Sequence, residues 1–169
     1  HLVDNGQGLG VRNAGHIGAS AGSVKIDSQG KIVNEGVING VDNIHLHTAV
    51  ATNTGKIESK QGQIDLNAKS ITQDGSVIAR KGNVSLKGDV VRQKGETVAK
   101  GRVDYDAKSI VADKTAFIAA GVNITEDKGK VVRTLDAAHV EGSGITLKGH
   151  NSVTIHGKQV ASGNIAVQG

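Results

Sequence analysis

The chain has 169 residues, a formal net charge of +4, 24 Gly, and no Pro, Cys, Met or Trp. Absence of cysteine excludes disulfide frameworks, thiolate zinc sites and thiol nucleophiles, and no apolar run approaches the roughly 18 residues of a membrane helix. With aromatics at 1% (Tyr105 and Phe117), a core must be built from Val, Ile, Leu and Ala, which suits flat stacked layers better than an interior organised around large rings.

Taken in chain order, the N-terminal His1-Leu2-Val3-Asp4-Asn5 lacks the basic-then-apolar layout of a signal peptide. An exported protein would then carry this stretch as an internal piece of a longer chain. Gly6-Gln7-Gly8-Leu9-Gly10 reads as a turn, since no helix pattern follows to complete a phosphate loop. From there a motif of the form apolar-x-Asn/Gln-x-Gly-x-apolar sets in. It occurs as Val11-Arg12-Asn13-Ala14-Gly15-His16-Ile17, and returns at Ile32–Ile38, Ala51–Ile57, Ile71–Val77 and Val91–Thr97. Val111-Ala112-Asp113-Lys114-Thr115-Ala116-Phe117 reads as a degraded sixth copy. The motif glycines fall at 15, 36, 55, 75 and 95, and a small residue stands four places after each: Ala19, Gly40, Ser59, Ala79 and Ala99, with Ala119 in the degraded copy.

Short alternating strands interleave with this motif, starting at residues 24, 44, 64, 84, 103, 122, 145 and 165. Alternation over three to five residues bounded by Gly-rich turns specifies half-buried strands. A period of about twenty is too short for a strand–helix–strand unit. The remaining solution is an all-β solenoid: a parallel β-helix of about eight coils in which equivalent residues stack at about 4.8 Å. The whole of 1–169 is expected to form one such segment, with regular repeats over 9–120, an irregular coil with a loop over 121–144, and looser coils over 145–169. In the last of these, Ile155 stands where the amide belongs. The amide column Asn13, Asn34, Asn53, Gln73 and Gln93 is expected to be structural, bonding along the axis at a bend.

The unit apolar-x-Asn-x-Gly-x-Ile-x-Ala followed by Gly-x-Val-x-Leu resembles the filamentous haemagglutinin repeat, best over residues 9–120. That resemblance implies a right-handed β-helix serving as shaft in a large exoprotein of Gram-negative bacteria. It implies secretion to the cell surface through an outer-membrane two-partner transporter. The parent would be an adhesin or a contact-dependent growth inhibition protein, with no catalysis and no cofactor in this segment and a distal receptor-binding or toxin region beyond it. A carbohydrate-binding or carbohydrate-active β-helix is the alternative.

Several side chains bear on that choice. His45 and His47 alternate outward, with Lys25 and Asp65 beside the first and Asp27 and Asn67 beside the second. Lys25 disfavours a cation there, so polar surface, not a metal centre, is the expectation. Asp104 and Asp106 flank Tyr105 and would be the acids of any glycan chemistry. Lys60, Arg80 and Lys100 share one repeat position, with Lys81 and Arg102 nearby, and form a basic edge suited to an anionic glycan of a host or bacterial surface. Nucleic acid is not expected, because no aromatic stacking platform accompanies the charge. Lys69, Asp89 and Lys108 alternate in sign along another column. Glu126-Asp127-Lys128-Gly129-Lys130 is expected to leave the coil as a loop that contacts a receptor protein.

Overall fold

The structure, a computed structural model, describes residues 2–3, 10–127, 130–135 and 143–169. Three strand segments make each turn. The first turn contains Val11–Asn13, His16–Ala19 and Val24–Asp27, which define faces 1, 2 and 3 in chain order. Face 2 is a parallel seven-stranded sheet running from His16–Ala19 through Val37–Gly40, Lys56–Ser59, Ser76–Ala79, Glu96–Ala99 and Phe117–Ala120 to Lys158–Ala161. Faces 3 and 1 merge into one eleven-stranded sheet, because Ile44–Asn53, Ile64–Gln73, Val103–Ala112 and Ile145–Ile155 continue around the corner as single strands. Leu2–Val3 pairs in parallel with this sheet beside Ile26 and Asp27.

The result is a parallel β-solenoid of about seven turns with a repeat of about twenty residues. Spacing alone counts eight coils, and the surplus one is Val122–Ile124. That segment has the right interval and the right alternation, yet it leaves the solenoid. Val122–Asp127 pairs antiparallel with Lys130–Leu135 as a separate two-stranded sheet. Face 3 passes directly from Val103 to Ile145.

The interior is a set of one-residue-wide columns. Ile26, Leu46, Leu66, Leu86, Tyr105 and Leu147 stack on face 3, and Ile32, Ala51, Ile71, Val91 and Ile110 on face 1. Ile38, Ile57, Val77, Thr97 and Ile118 stack on face 2. All of these are buried. Because each turn has the same three inward stripes, the core is continuous along the axis and needs no bulky ring to fill it.

The turn between faces 1 and 2 requires glycine for a specific reason. A Cβ built on Gly36, Gly55 or Gly75 would lie 2.1 Å from the carbonyl oxygen of the motif glycine one turn earlier. The main chains stack too closely for any side chain. The sixth turn has no such glycine, and it is two residues longer. Gln93 and Glu96 align with Ala112 and Phe117, three and five residues apart. This corrects the reading of the degraded copy by one residue. Ile110, not Val111, continues the Val91 column; Ala112, not Asp113, takes the amide position; Ala120, not Ala119, takes the small position. Val111 consequently points outward and is 37% exposed.

Candidate functional site

The amide column is assembled as a ladder. Asn13 Nδ2 donates to Asn34 Oδ1 at 2.9 Å, Asn34 Nδ2 to Asn53 Oδ1 at 2.8 Å, and Asn53 Nδ2 to Gln73 Oε1 at 2.9 Å. Each amide spends its second hydrogen on a main-chain carbonyl of the next turn: those of Val37, Lys56 and Ser76. The carbonyls of Asn13, Asn34, Asn53 and Gln73 each accept two main-chain N–H groups from the following turn, as Asn34 does from Thr54 and Gly55, and that of Gln93 accepts one, from Asp113. A bend that would otherwise bury unpaired peptide groups is thereby satisfied, in the five turns from Asn13 to Gln93, by the residue at the same position.

Between Gln73 and Gln93 the ladder takes a detour. Gln73 Nε2 donates to the carbonyl of Glu96 at 2.7 Å and reaches Thr97 Oγ1 at 3.5 Å. Thr97 Oγ1 lies 2.7 Å from the Tyr105 hydroxyl, which donates to Gln93 Oε1. Gln93 Nε2 then donates to the carbonyls of Gly95 and Phe117. Thr97 stands in an aliphatic column and Tyr105 in a leucine column, so two departures from the core pattern answer one another across the interior. Burial holds the Tyr105 phenol far above the ordinary tyrosine range, while its hydrogen bonds with Thr97 and Gln93 act in the opposite direction. The sequence holds the signal for this pair: a Thr and a Tyr at inward positions of the same turn.

The basic edge exists as a main-chain feature. Lys60, Arg80 and Lys100 each follow a residue of the paired column Ser59, Ala79 and Ala99. The Lys60, Arg80 and Lys100 amides donate to the turn before, to Gly40, Ser59 and Ala79. Its charge, however, is partly engaged. Arg80 bonds Glu58 at 2.9 Å, and Lys56 approaches the same carboxylate at 2.8 Å. Arg102 bonds Asp104 Oδ1 at 3.2 Å and Thr146 Oγ1 at 2.8 Å. Lys60 and Lys81 are exposed and Lys100 is half-buried.

Glu126, Asp127 and Lys130 belong to the antiparallel strands, with Asp127 opposite Lys130; Lys128 and Gly129 lie outside the described residues, as do Gly6, Gln7, Gly8 and Leu9 of the N-terminal glycine stretch. The segment begins by packing down onto the solenoid. Val122 is buried with Val98 and Ala119, and Ile124 and Phe117 pack against them. Val98 and Ala119, like Ile78 and Glu58, point outward from face 2 by alternation and are nonetheless buried. The sequence carries a trace of this covered outer face. Val77-Ile78-Ala79 and Phe117-Ile118-Ala119-Ala120 are apolar at consecutive positions where a one-sided strand would alternate.

On face 3 the outward rows match the expected register: Lys25, His45 and Asp65 form one, and Asp27, His47 and Asn67 the next. Asp27 lies 3.8 Å from both Lys25 Nζ and His47 Nδ1. Among the described residues, no three His, Asp or Glu side chains converge as metal ligands. A cleft of about 550 Å³ opens where face 3 turns into face 1, lined by Asp27, His47, Asn67 and the corner residues Gln29, Ala49 and Lys69. Further along, Asp104 holds Arg102 and Asp106 accepts from or pairs with His150 Nε2 at 2.8 Å. Asp89 pairs with Lys108 at 3.8 Å, as their alternating column predicts.

No protein-family model, curated protein or solved structure matches this chain. The β-solenoid itself is what the geometry establishes.

Proposed function

We propose that the chain is a non-catalytic shaft segment of a large secreted cell-surface filament of the filamentous haemagglutinin type. The observation that carries this reading is the amide–glycine turn, stacked in register from Asn13 to Gln93. Its side chains are consumed in joining one turn to the next, which is what a spacer requires and what a ligand site does not. In this reading the parent is an adhesin or a growth-inhibition toxin carrier, exported by an outer-membrane two-partner transporter. The solenoid holds a receptor-binding or toxin region away from the producing cell.

The test is surface labelling of intact producing cells with an antibody raised against this solenoid. Labelling is expected, and is expected to vanish when the cognate transporter is deleted. Labelling only after lysis would overturn the assignment.

A second reading, a carbohydrate-binding or carbohydrate-active β-helix, draws on Asp104 and Asp106. They project from one strand beside Arg102, Lys148 and His150. Turnover of an acidic polysaccharide that is abolished by Asp104→Ala would replace the shaft reading with this one.

A further inference from the structure

The cleft at the corner of faces 3 and 1 is built from a specific irregularity. Lys69, Asp89 and Lys108 occupy the corner position of three successive turns, each one residue before the paired column Ser70, Val90 and Ser109. In the turn before Lys69 the same position is Ala49, one residue before Val50. In the turn before that the corner is one residue longer, because Asp27 pairs with His47 but Lys31 with Val50. This places Gln29 and Gly30 opposite Ala49. A short side chain between two long ones leaves a notch, and the cleft is that notch. Ser28 and Thr48 brace its base from beneath. Both are buried, Ser28 Oγ donates to the carbonyl of Lys31, and Thr48 Oγ1 to that of Gly30.

The lining dictates what could occupy it. No Tyr, Trp or Phe borders the cleft, so recognition falls to hydrogen bonds and charge. Asn67 offers both a donor and an acceptor, Asp27 only acceptors, and Lys69 only donors. Among the described residues Lys69 has no ion-pair partner, and Lys25 and His47 already stand beside Asp27. A bare phosphate would satisfy Lys69 but would set its oxygens against Asp27. A sugar ring bearing a carboxylate satisfies both: hydroxyls donate to Asp27 and exchange hydrogen bonds with the Asn67 amide, while the carboxylate accepts from Lys69. The volume lies within the usual range of small-ligand clefts.

We propose that this corner binds an acidic sugar residue of the uronic-acid type, presented singly or within a glycan chain. The proposal stands apart from the shaft reading, since a spacer and an enzyme could equally carry such a site.

The experiment is amide chemical-shift titration of the isotopically labelled 169-residue chain with galacturonic acid and its dimer, and with glucose and inorganic phosphate as comparisons. Saturable shifts at Ser28, Ala49 and Lys69 are expected with the uronic acid. Lys69→Gln is expected to weaken binding about tenfold, the scale of one charge-assisted hydrogen bond. Ala49→Gln, which fills the notch from a partly exposed position, should abolish binding, and Lys60→Gln on the basic edge should leave it unchanged. Absence of saturable shifts at this corner, equal response to glucose or phosphate, or loss on Lys60→Gln instead of Lys69→Gln would each overturn the proposal.

Discussion

At the scale of single residues, the solenoid is held by side chains that complete the main chain of the neighbouring turn. Asn53 shows this most directly. It accepts from Asn34 and donates to Gln73 and to the Ser76 carbonyl, so its removal takes a partner from three groups at once. Asn53→Ala is expected to cost about 2–4 kcal/mol, from the penalty of leaving buried polar groups unpaired, as read from urea melts. The glycine stack gives a sharper contrast. Gly75→Ala would drive a Cβ to 2.1 Å from the Gly55 carbonyl oxygen, whereas a Cβ on Gly15 meets nothing within 4 Å. The first substitution should lower stability by about 2 kcal/mol or more. The second should change it by less than about 0.5 kcal/mol, although both residues occupy the same sequence motif.

Tyr105 supplies a pH dependence with a definite sign. Its folded-state pKa is raised above the ordinary tyrosine value of about 10 by burial. The protonated phenol is therefore the form the fold favours. The stabilisation is fully present below about pH 10 and is lost as pH rises through the folded-state pKa, because the unfolded chain ionises first. Thermal melts should show stability falling above pH 10, with a shallower fall in Tyr105→Phe. At neutral pH that variant should already be weaker by about 1–3 kcal/mol, since Thr97 and Gln93 lose a buried partner.

At the scale of elements, what was legible in the sequence depended on whether a residue's role is fixed by its own turn. The five amide–glycine turns were readable because each carries its polar side chain and its glycine at the same interval. The sixth is hidden because Val111-x-Asp113 imitates the motif, while the true inward pair, Ile110 and Ala112, has nothing polar to mark it. The excursion at Val122 is hidden for a related reason. Val122-Asn123-Ile124 alternates as a coil strand does, and only its partner shows that it belongs elsewhere. The partner lies on the outside of face 2, in Val98, Ala119 and Phe117, a contact set by tertiary packing that no local spacing encodes. Lys60, Arg80 and Lys100 follow one paired column, but the pairing of Arg80 with Glu58 is invisible to spacing, because Glu58 stands at a different repeat position one turn earlier. The segment that begins at Val122 is thus an attached element rather than a free loop. Val122→Asp should cost about 2–4 kcal/mol through burial of a charge against Val98 and Ala119, and should raise binding of a hydrophobic dye as that outer patch is uncovered. A melt unchanged from the parent would show that the contact contributes nothing.

At the scale of the molecule, stability is a sum over similar turns and the interfaces between them. Length is then a free variable while register is not. The measurement that tests this most directly is excision along the repeat. Removing residues 55–74 joins Thr54 to Gly75, so that Gly75 takes over the place of Gly55 and every column continues with its own residue type. Removing only residues 55–64 joins the turn of one face to the strand of another. The whole-turn deletion should keep a β-type circular dichroism spectrum and a cooperative melt, with the rod shortened by about 4.8 Å in small-angle scattering. The half-turn deletion should fail to fold. Equal disruption by both deletions, or a folded product from the half-turn deletion, would contradict a solenoid built on a twenty-residue register.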